Sequence, residues 1–415
     1  MAFEILEQVP GHQTLQFEIP LPELQPQYDE CLAQGLNGSA LELALTQSVL
    51  LAYLQERHYA LWAAPHLSEL QLTEQGLEFR AALQLLPKVA LPEYCGIRVE
   101  VPPVPVPDQE DLLERVSNLQ LGAAKEETVA REISWGDRVY LDLVVTVGQQ
   151  PVPLSARVNF PVLIEPELFF PGFAEALIGH KTEDAVDITT HLPMDYEYPA
   201  WRGREAIYNV FIRRVCSLQL PPLDEHFPAL VGKGSDSDTM MQTIYDEMLA
   251  ENQLYWQDTV AELLMAKLVP ACEFELPEDL IQAEQLSDWE RLDHPALREQ
   301  GLEESLIEQA KTTWMKFRNL REEAYWRTAG ALVLRAVAIQ EGFSLSSAEW
   351  QESLDELAGS FGHQGSEMAA ELRQSGELSL LADRLLLERT LRWLVSQAEL
   401  VYEGQPLSAG ASAPP

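Results

Sequence analysis

The stretch LFFPGFAEALIGHK, residues 168–181, decides the fold of the middle of this chain. A Pro-Gly pair directly precedes a short apolar run at helical spacing. Alternating apolar residues predict a strand upstream, at 138–147, and another downstream, at 206–215. The segment DYEYPAWRG, residues 195–203, adds aromatic side chains between helix and second strand. These elements predict a small antiparallel sheet wrapped around a helix, with an apolar cleft between them.

Composition bounds the class of protein. The chain has 415 residues, of which 46% are hydrophobic and 8% aromatic, enough for several folded domains. Its formal net charge of -38 repels phosphate backbones and anionic lipid surfaces, so neither nucleic acid nor membrane is expected as a partner. The N-terminal residues MAFEILEQVP lack the pattern of a secretory signal, and no apolar run reaches the roughly 20 residues of a membrane span. A cytoplasmic location is expected.

Several chemistries are excluded by the spacing of the residues they need. The four cysteines are scattered, so reduced thiols are expected rather than disulfides or a zinc knuckle. The segment GKGS, residues 232–235, lacks the spacing of a phosphate-binding loop. The sequence contains neither a Gly-x-Ser-x-Gly elbow nor a His-Glu-x-x-His motif. We therefore predict no metal and no cofactor.

On either side of the central stretch, the spacing of apolar residues predicts separate groups of strands and helices. Residues 3–19 alternate as a strand, 41–56 have helical spacing and 70–86 predict a hairpin with its turn at 74–76, which together indicate a small α+β domain. The proline-rich segment VEVPPVPVP, residues 99–107, predicts an extended linker, and a helix is expected from Asp108. Further helices are expected at 238–269, from Pro277, at 303–341 and at 378–401, before a disordered tail.

The central run NFPVLIEPELFFPGFAEALIGHK followed by LPMDYEYPAWRG resembles the FKBP-type prolyl isomerase domain of the bacterial trigger factor family. The resemblance implies an α+β multidomain chain in which this domain is inserted. Its implied parts are an N-terminal ribosome-binding-like domain (1–100), a linker and helix of the C-terminal body (101–131), the FKBP-like domain (132–217), a helical chaperone domain with long arms (218–403) and a disordered tail (404–415).

The same resemblance implies a prolyl isomerase pocket. It places three phenylalanines on the floor and walls, a tyrosine at the position of the family's hydroxyl donor and another as the closing aromatic: Phe160, Phe170, Phe173, Tyr196 and Tyr208. Leu143 stands after Asp142 where the family usually has an aromatic residue. The segment QQPVPLSA, residues 149–156, has no counterpart of the pocket acid of larger FKBP domains. Taken singly, each aromatic is also explained as ordinary core.

The ribosome-docking loop departs from the family. Trigger factors carry Gly-Phe-Arg-x-Gly-x-x-Pro between two helices, whereas this chain has Gly35, Leu36, Asn37 and Gly38 at the matching place. No Lys or Arg precedes Arg57, so the turn keeps its shape and loses its cations. Because phosphate contacts supply the salt-dependent part of such binding, we expect weak or absent ribosome docking.

The C-terminal helices carry many aromatic and methionine residues. Those assigned to client binding are Trp314, Met315, Phe317, Tyr325 and Trp326. They are explained either as a core stripe or as a surface that holds unfolded segments, where Met and aromatics adapt to varied partners. The resemblance supports the second explanation.

Two functions are therefore carried forward. The first is an ATP-independent chaperone with peptidyl-prolyl isomerase activity on unfolded or nascent polypeptides. The second is a non-catalytic, client-specific holdase or assembly factor with a degenerate pocket. Whether two copies pair as a homodimer through the first domain is left open.

Overall fold

A computed structural model describes residues 3–407 apart from 10, 34, 58, 60, 63–64, 74, 197, 345–349, 351–353 and 356–377. The chain is α+β, with sheets in its N-terminal and middle parts and long helices towards its C-terminus, as expected. It divides into two compact units. The first combines Met1–Tyr94, Lys267–Ile281 and Arg327–Trp393, and the second combines Cys95–Ala266, Gln282–Trp326 and Leu394–Pro415.

The first unit contains a four-stranded antiparallel sheet in the order β1-β2-β4-β3. Its strands are β1 Phe3–Val9, β2 His12–Pro20, β3 His66–Leu72 and β4 Gly76–Gln84. The prediction of a single strand at 3–19 is wrong, because Gly11 takes a positive φ of 77° and turns the chain into a hairpin. The hairpin predicted at 70–86 is present as β3–β4, and residue 74 of its turn lies outside the described residues.

Two helices cover one face of this sheet, α1 Leu21–Ala33 and α2 Gly38–Arg57. Alternate residues of β2 and β4 form the core beneath them, where Phe17 and Phe79 lie opposite each other with stacked rings 4.6 Å apart. The Tyr53 hydroxyl of α2 donates to Gln13 Oε1 at 3.0 Å. The apolar period of 2 in the strands meets the period of about 3.6 in α2, which makes a two-layer domain.

The second unit contains a six-stranded antiparallel sheet in which β11 and β7 are central. Its strands are β6 Lys125–Thr128, β7 Arg138–Val147, β8 Gln150–Pro151, β9 Arg157–Leu163, β10 Ala185–His191 and β11 Glu205–Gln219. The short helix α4 Phe173–Leu177 packs its apolar face on this sheet. Both strands and the helix predicted around the central stretch are therefore present.

A small second sheet joins distant parts of the same unit. Strand β5, Arg98–Glu100, pairs in parallel with β12, Glu399–Tyr402, which pairs with β13, Gln405–Pro406. The prediction that the last helix runs to 401 is wrong, since 399–402 form a strand whose Val401 is buried. The expected tail is likewise ordered at 405–406, and 408–415 lie outside the described residues.

The proline-rich linker is extended but not free. Its carbonyl groups at Pro102 and Pro105 accept hydrogen bonds from Trp256 Nε1 at 2.7 Å and Asn252 Nδ2 at 3.0 Å. Helix α3, Gln109–Gly122, begins at an Asp108 capping box and shares an apolar cluster with residues 227–248. Segments before and after the six-stranded sheet thus form one core.

The remaining helices are α5 Phe227–Leu230, α6 Ser237–Ala271, α7 Glu278–Leu292, α8 His294–Glu299, α9 Glu304–Trp314, α10 Arg318–Glu341 and α11 Leu378–Gln397. The single helix predicted at 303–341 is wrong, because residues 315–317 separate α9 from α10. This break is decided by packing, since Phe317 is withdrawn into an apolar cluster.

Candidate functional site

Four of the predicted pocket residues, Phe160, Phe170, Phe173 and Tyr208, belong to one apolar cluster on the six-stranded sheet, which we call the aromatic cleft. Phe173, the first residue of α4, is fully buried, and Gly172 before it has a φ of 96°, a conformation that favours glycine. The Phe170 and Phe173 rings lie 5.4 Å apart, and the Tyr208 ring lies 5.0 and 5.7 Å from them. All three pairs meet edge to face, the arrangement that aromatic quadrupoles prefer. The three rings therefore pack against one another as one group.

Phe160 reaches the cleft from β9. It pairs with Leu141 of β7 across the sheet and is half-buried against the same core. Phe169, which our sequence analysis did not assign to the site, is 48% exposed, and its ring lies 4.8 Å from that of Phe173. The Phe-Phe doublet before Pro171 was the available signal. The structure thus brings together four of the five predicted pocket residues and adds Phe169 at the rim.

The fifth predicted residue, Tyr196, belongs to a second cluster beside the cleft. This cluster surrounds Trp201, and Tyr208 packs against both clusters. The loop that carries Tyr196 is closed by an Arg202 Nε donor to the Tyr196 carbonyl at 2.7 Å. Tyr196 and Tyr208 therefore pack against the same second cluster, and Tyr208 packs against the aromatic cleft as well.

The polar groups near the cleft are neutralised by internal pairing. A bulge between Leu141 and Leu143 turns Asp142 towards Arg213, whose Nε donates to Asp142 Oδ1 at 2.5 Å. The hydrogen bond to Asp142 raises the pKa of Arg213, so the guanidinium stays protonated. Burial raises the pKa of Tyr208, which keeps its hydroxyl protonated. Leu143 is only 4% exposed and packs into the core.

Two predicted client-binding residues are buried, which contradicts their assignment to an exposed surface. Trp314 is 1% exposed and donates from Nε1 to the Gln285 carbonyl at 3.2 Å, while Phe317 is 4% exposed. Both belong to the core of the second unit because α9 covers the six-stranded sheet. Met315 and Tyr325 are half-buried, and Trp326 is 47% exposed.

The helical segment 282–326 is joined to the sheet by polar contacts. Gln300 Nε2 donates to the carbonyl groups of Leu143 and Arg157, each at 3.0 Å. Asp293 is 3% exposed and accepts from the Leu154 N–H at 2.8 Å. Burial raises the pKa of Asp293 to about 6, against the lowering by that hydrogen bond and by Arg157. A cavity of about 390 Å³ lies between Gln150, Tyr198 and one face of α9.

The predicted ribosome turn connects α1 and α2. Gly35 and Gly38 have φ values of 80° and 54°, and the Gly35 N–H donates to Leu32 O at 2.9 Å. Leu36 is half-buried against the core of the first unit, while Asn37 is exposed. The exposed acids Asp29 and Glu30 stand in the last turns of α1. The turn presents an uncharged tip near negative charge.

The described residues also bear on other kinds of site. All four cysteines are free thiols. Within the described ranges no three His, Cys, Asp or Glu side chains are grouped to hold a metal ion. Among the helices described, none is long and apolar enough to cross a bilayer.

Comparison with known proteins finds trigger factors. The family described as "Bacterial trigger factor protein (TF) C-terminus" matches residues 238–396. The trigger factor of Moorella thermoacetica is 27% identical over 341 residues, covering 81% of this chain and 75% of its own. That of Pelotomaculum thermopropionicum is 27% identical over 335 residues, covering 78% and 74%.

A solved trigger factor chaperone, described for promiscuous substrate recognition in folding and assembly activities, covers 95% of this chain and 99% of its own at 18% identity and a TM-score of 0.37. The sequence relatives match this chain from its sheet-bearing parts into its helices, since each covers about four fifths of it. The chain is thus similar to trigger factors over about four fifths of its length, and its residues 238–396 match the model of that family's C-terminal domain.

Proposed function

We propose that this chain is an ATP-independent chaperone that assists protein folding and carries peptidyl-prolyl isomerase activity on unfolded or nascent polypeptides. Its likeness to trigger factors supports the chaperone role. The observation that carries the isomerase activity is the aromatic cleft, in which Phe170, Phe173 and Tyr208 meet within 5.7 Å on an antiparallel sheet.

Prolyl isomerisation needs no reactive side chain on the protein. Rotation about an X-Pro bond has a barrier of roughly 18–20 kcal/mol because the planar amide loses its resonance, and no nucleophile or proton transfer is needed. The twisted amide is less charge-separated than the planar one, so a dry aromatic floor favours it over the ground state. In this proposal Phe160, Phe170 and Phe173 hold the proline ring, Tyr208 closes the cleft and the Tyr196 hydroxyl donates to the substrate carbonyl.

The test is a protease-coupled isomerisation assay with a proline peptide. Phe160→Ala removes a half-buried wall and Tyr196→Phe removes only the donor hydroxyl, so each is expected to lower kcat/KM about tenfold without unfolding the chain. Tyr245→Phe on α6 makes the same chemical change away from the cleft and serves as the matched control. If the unaltered chain is no faster than the uncatalysed reaction, which takes tens of seconds or longer, the enzymatic function is overturned.

The second candidate is a non-catalytic, client-specific holdase or assembly factor. It is favoured by Leu143, which is withdrawn into the core and leaves no aromatic at that side of the cleft. This function predicts that the chain binds a proline peptide and an alanine-substituted peptide equally, and that it does not speed isomerisation. A preference for the proline peptide together with catalysis supports the first function.

Client contact is assigned to side chains that are exposed. Trp326 is 47% exposed, and Leu254 and Tyr255 on α6 are 63% and 69% exposed. Large apolar side chains in water form transient contacts with unfolded segments, and they need no nucleotide to do so. Ribosome docking is proposed to be weak, on the evidence of the uncharged turn between α1 and α2.

A further inference from the structure

The second cluster beside the cleft is completed by one buried residue from a distant part of the chain. Its other buried members all lie within residues 145–206: Val145, Val147, Val152, Leu192, Trp201 and Ala206. The remaining buried member is Phe317, from the break between α9 and α10. Tyr196, Tyr198 and Tyr208 are half-buried against this cluster. A residue of the helical segment thus forms part of the core under the loop that carries Tyr196.

Phe317 contacts that loop through two rings. Its ring stacks on Tyr198, with the centroids 4.9 Å apart and an angle of 11° between the planes. Its edge contact with Trp201 spans 5.6 Å, and Tyr198 and Trp201 themselves lie 5.1 Å apart. Three mutually packed rings bury most of their surface with few rotatable bonds, so they hold the backbone that carries them.

The backbone around Phe317 is set by turns. Its N–H donates to the Trp314 carbonyl at 3.1 Å, and its own carbonyl accepts from the Arg321 N–H at 3.1 Å. These bonds close the end of α9 and open α10 around the Phe317 side chain. The backbone that carries the Phe317 ring is therefore held by hydrogen bonds on both sides.

Backbone hydrogen bonds join the two ends of the loop at 192–204. The Leu192 N–H donates to the Arg204 carbonyl at 2.9 Å, and the Gly203 N–H donates to the Leu192 carbonyl at 3.1 Å. Within the loop, the Trp201 N–H donates to the Tyr198 carbonyl at 2.9 Å. Among the described residues, the apolar side chains that reach this cluster from outside the 132–217 region are the buried Phe317 and the half-buried Leu320, and Phe317 is the one whose ring packs on Tyr198 and Trp201.

We propose that Phe317 is a positioning residue for the isomerase site, which braces the 192–204 loop and holds Tyr196 beside Tyr208. This inference rests on the isomerase function proposed above. Phe317 itself touches no substrate in this proposal. It sets the orientation of the Tyr196 hydroxyl, whereas Phe160, Phe170 and Phe173 keep their places without it because they belong to the other cluster.

The test compares the full chain with Phe317→Leu, which keeps an apolar side chain and loses the ring contacts. Loosening Tyr196 removes a contact made in the transition state, so kcat is expected to fall about tenfold while KM stays within about twofold. Tyr198→Phe preserves the stacked rings and is expected to retain the unaltered kcat. Phe343→Leu in the first unit makes the same change elsewhere and is the matched control.

Loop order is read out separately by brief trypsin digestion and mass spectrometry of the cuts after Arg202 and Arg204, which are both exposed. Phe317→Leu is expected to speed these cuts about tenfold, in proportion to the open population of the loop. If the unaltered chain does not catalyse isomerisation but Phe317→Leu is cut faster, the proposed isomerase function is wrong, while the support of the loop by Phe317 is confirmed. If the rate of cutting is unchanged in Phe317→Leu, Phe317 does not order the 192–204 loop, and the proposal is overturned. A rise in kcat also overturns it, because Phe317 then obstructs the site instead of positioning Tyr196.

Discussion

Asp293 is a buried carboxyl group whose ionisation opposes the packing of the helical segment on the sheet. It is 3% exposed, and burial raises its pKa from 3.8 to about 6. The folded chain therefore holds the proton more tightly than the unfolded chain. The stabilisation of the folded chain by this tighter proton binding is fully present below pH 3.8, and it is lost as the pH rises through about 6. At neutral pH the buried charge of Asp293 therefore offsets part of the stabilisation that its hydrogen bond with the Leu154 N–H provides.

We predict that Asp293→Asn stabilises this contact at pH 7.5 by about 2 kcal/mol, since the amide keeps an oxygen for the Leu154 N–H without a buried charge. Hydrogen exchange of residues 151–156, corrected for intrinsic rates, should slow at pH 7.5 and differ little from the unaltered chain at pH 5. Asp258→Asn, an exposed change on α6, is the control. Faster exchange in Asp293→Asn at pH 7.5 would show that the charge itself is stabilising.

At the residue scale, the sequence identified the cleft but not its surroundings. Phe160, Phe170, Phe173 and Tyr208 were assigned through the resemblance to the family's isomerase domain, which rests on local features such as the Pro-Gly break and the strand alternation. The burial of Phe317 was not found, because it depends on Tyr198 and Trp201, which lie far away in the chain.

The turn between α1 and α2 has the backbone of a tight turn and contains no Lys or Arg. Both glycines have the positive φ values that a tight helix-to-helix turn needs, and Leu36 anchors the turn on the core. Cations are absent from residues 1–56, so the turn has nothing to offer phosphate groups. This missing charge is the reason for our proposal that docking on ribosomal RNA is weak.

We predict that the unaltered chain does not co-sediment with vacant ribosomes in a salt-sensitive manner. Leu36→Phe combined with Asn37→Arg should gain binding that weakens as salt is raised from about 50 to 200 mM, because each phosphate contact releases counterions. Leu36→Phe with Asn37→Gln changes the same positions without charge and should gain no salt-dependent binding. Stoichiometric, salt-sensitive binding by the unaltered chain contradicts this prediction.

Element boundaries were predicted where local signals were strong. The bounds of β7 match the alternation at 138–147, and Pro277 directly precedes α7. Residues 399–401 were assigned to a helix because their apolar pattern continues that of α11. They form a strand because Arg98–Glu100 offers a partner edge, which no local pattern reveals.

At the scale of the whole molecule, client binding requires apolar side chains that the fold leaves in water. Trp314 and Trp326 stand on successive helices and were assigned to the same role, yet their exposures are 1% and 47%. The first belongs to the core and the second faces solvent. Substitution of Trp314 should therefore lower the stability of the fold, whereas substitution of Trp326 should weaken client binding and leave the fold intact.

We predict that Trp326→Ala weakens suppression of aggregation of an unfolded protein, measured by light scattering, and leaves far-UV circular dichroism and the melting temperature unchanged. Trp314→Ala should instead destabilise the second unit by about 3–5 kcal/mol, as expected for removal of a large buried ring. Lys311→Ala, on the same helix as Trp314, is the surface control. Full suppression by Trp326→Ala would remove Trp326 from the client surface.

The sequence by itself determined the α+β class, the sheet-and-helix domain around residues 168–181 and the absence of Lys and Arg from the turn between α1 and α2. These follow from local periodicity, turn chemistry and charge, which act between near neighbours in the chain. Only the tertiary structure decided which aromatic side chains are exposed. Burial is set by partners far away in sequence: α9 covers Trp314, and Tyr198 with Trp201 encloses Phe317. The same residue types thus became core at one helix and surface at the next.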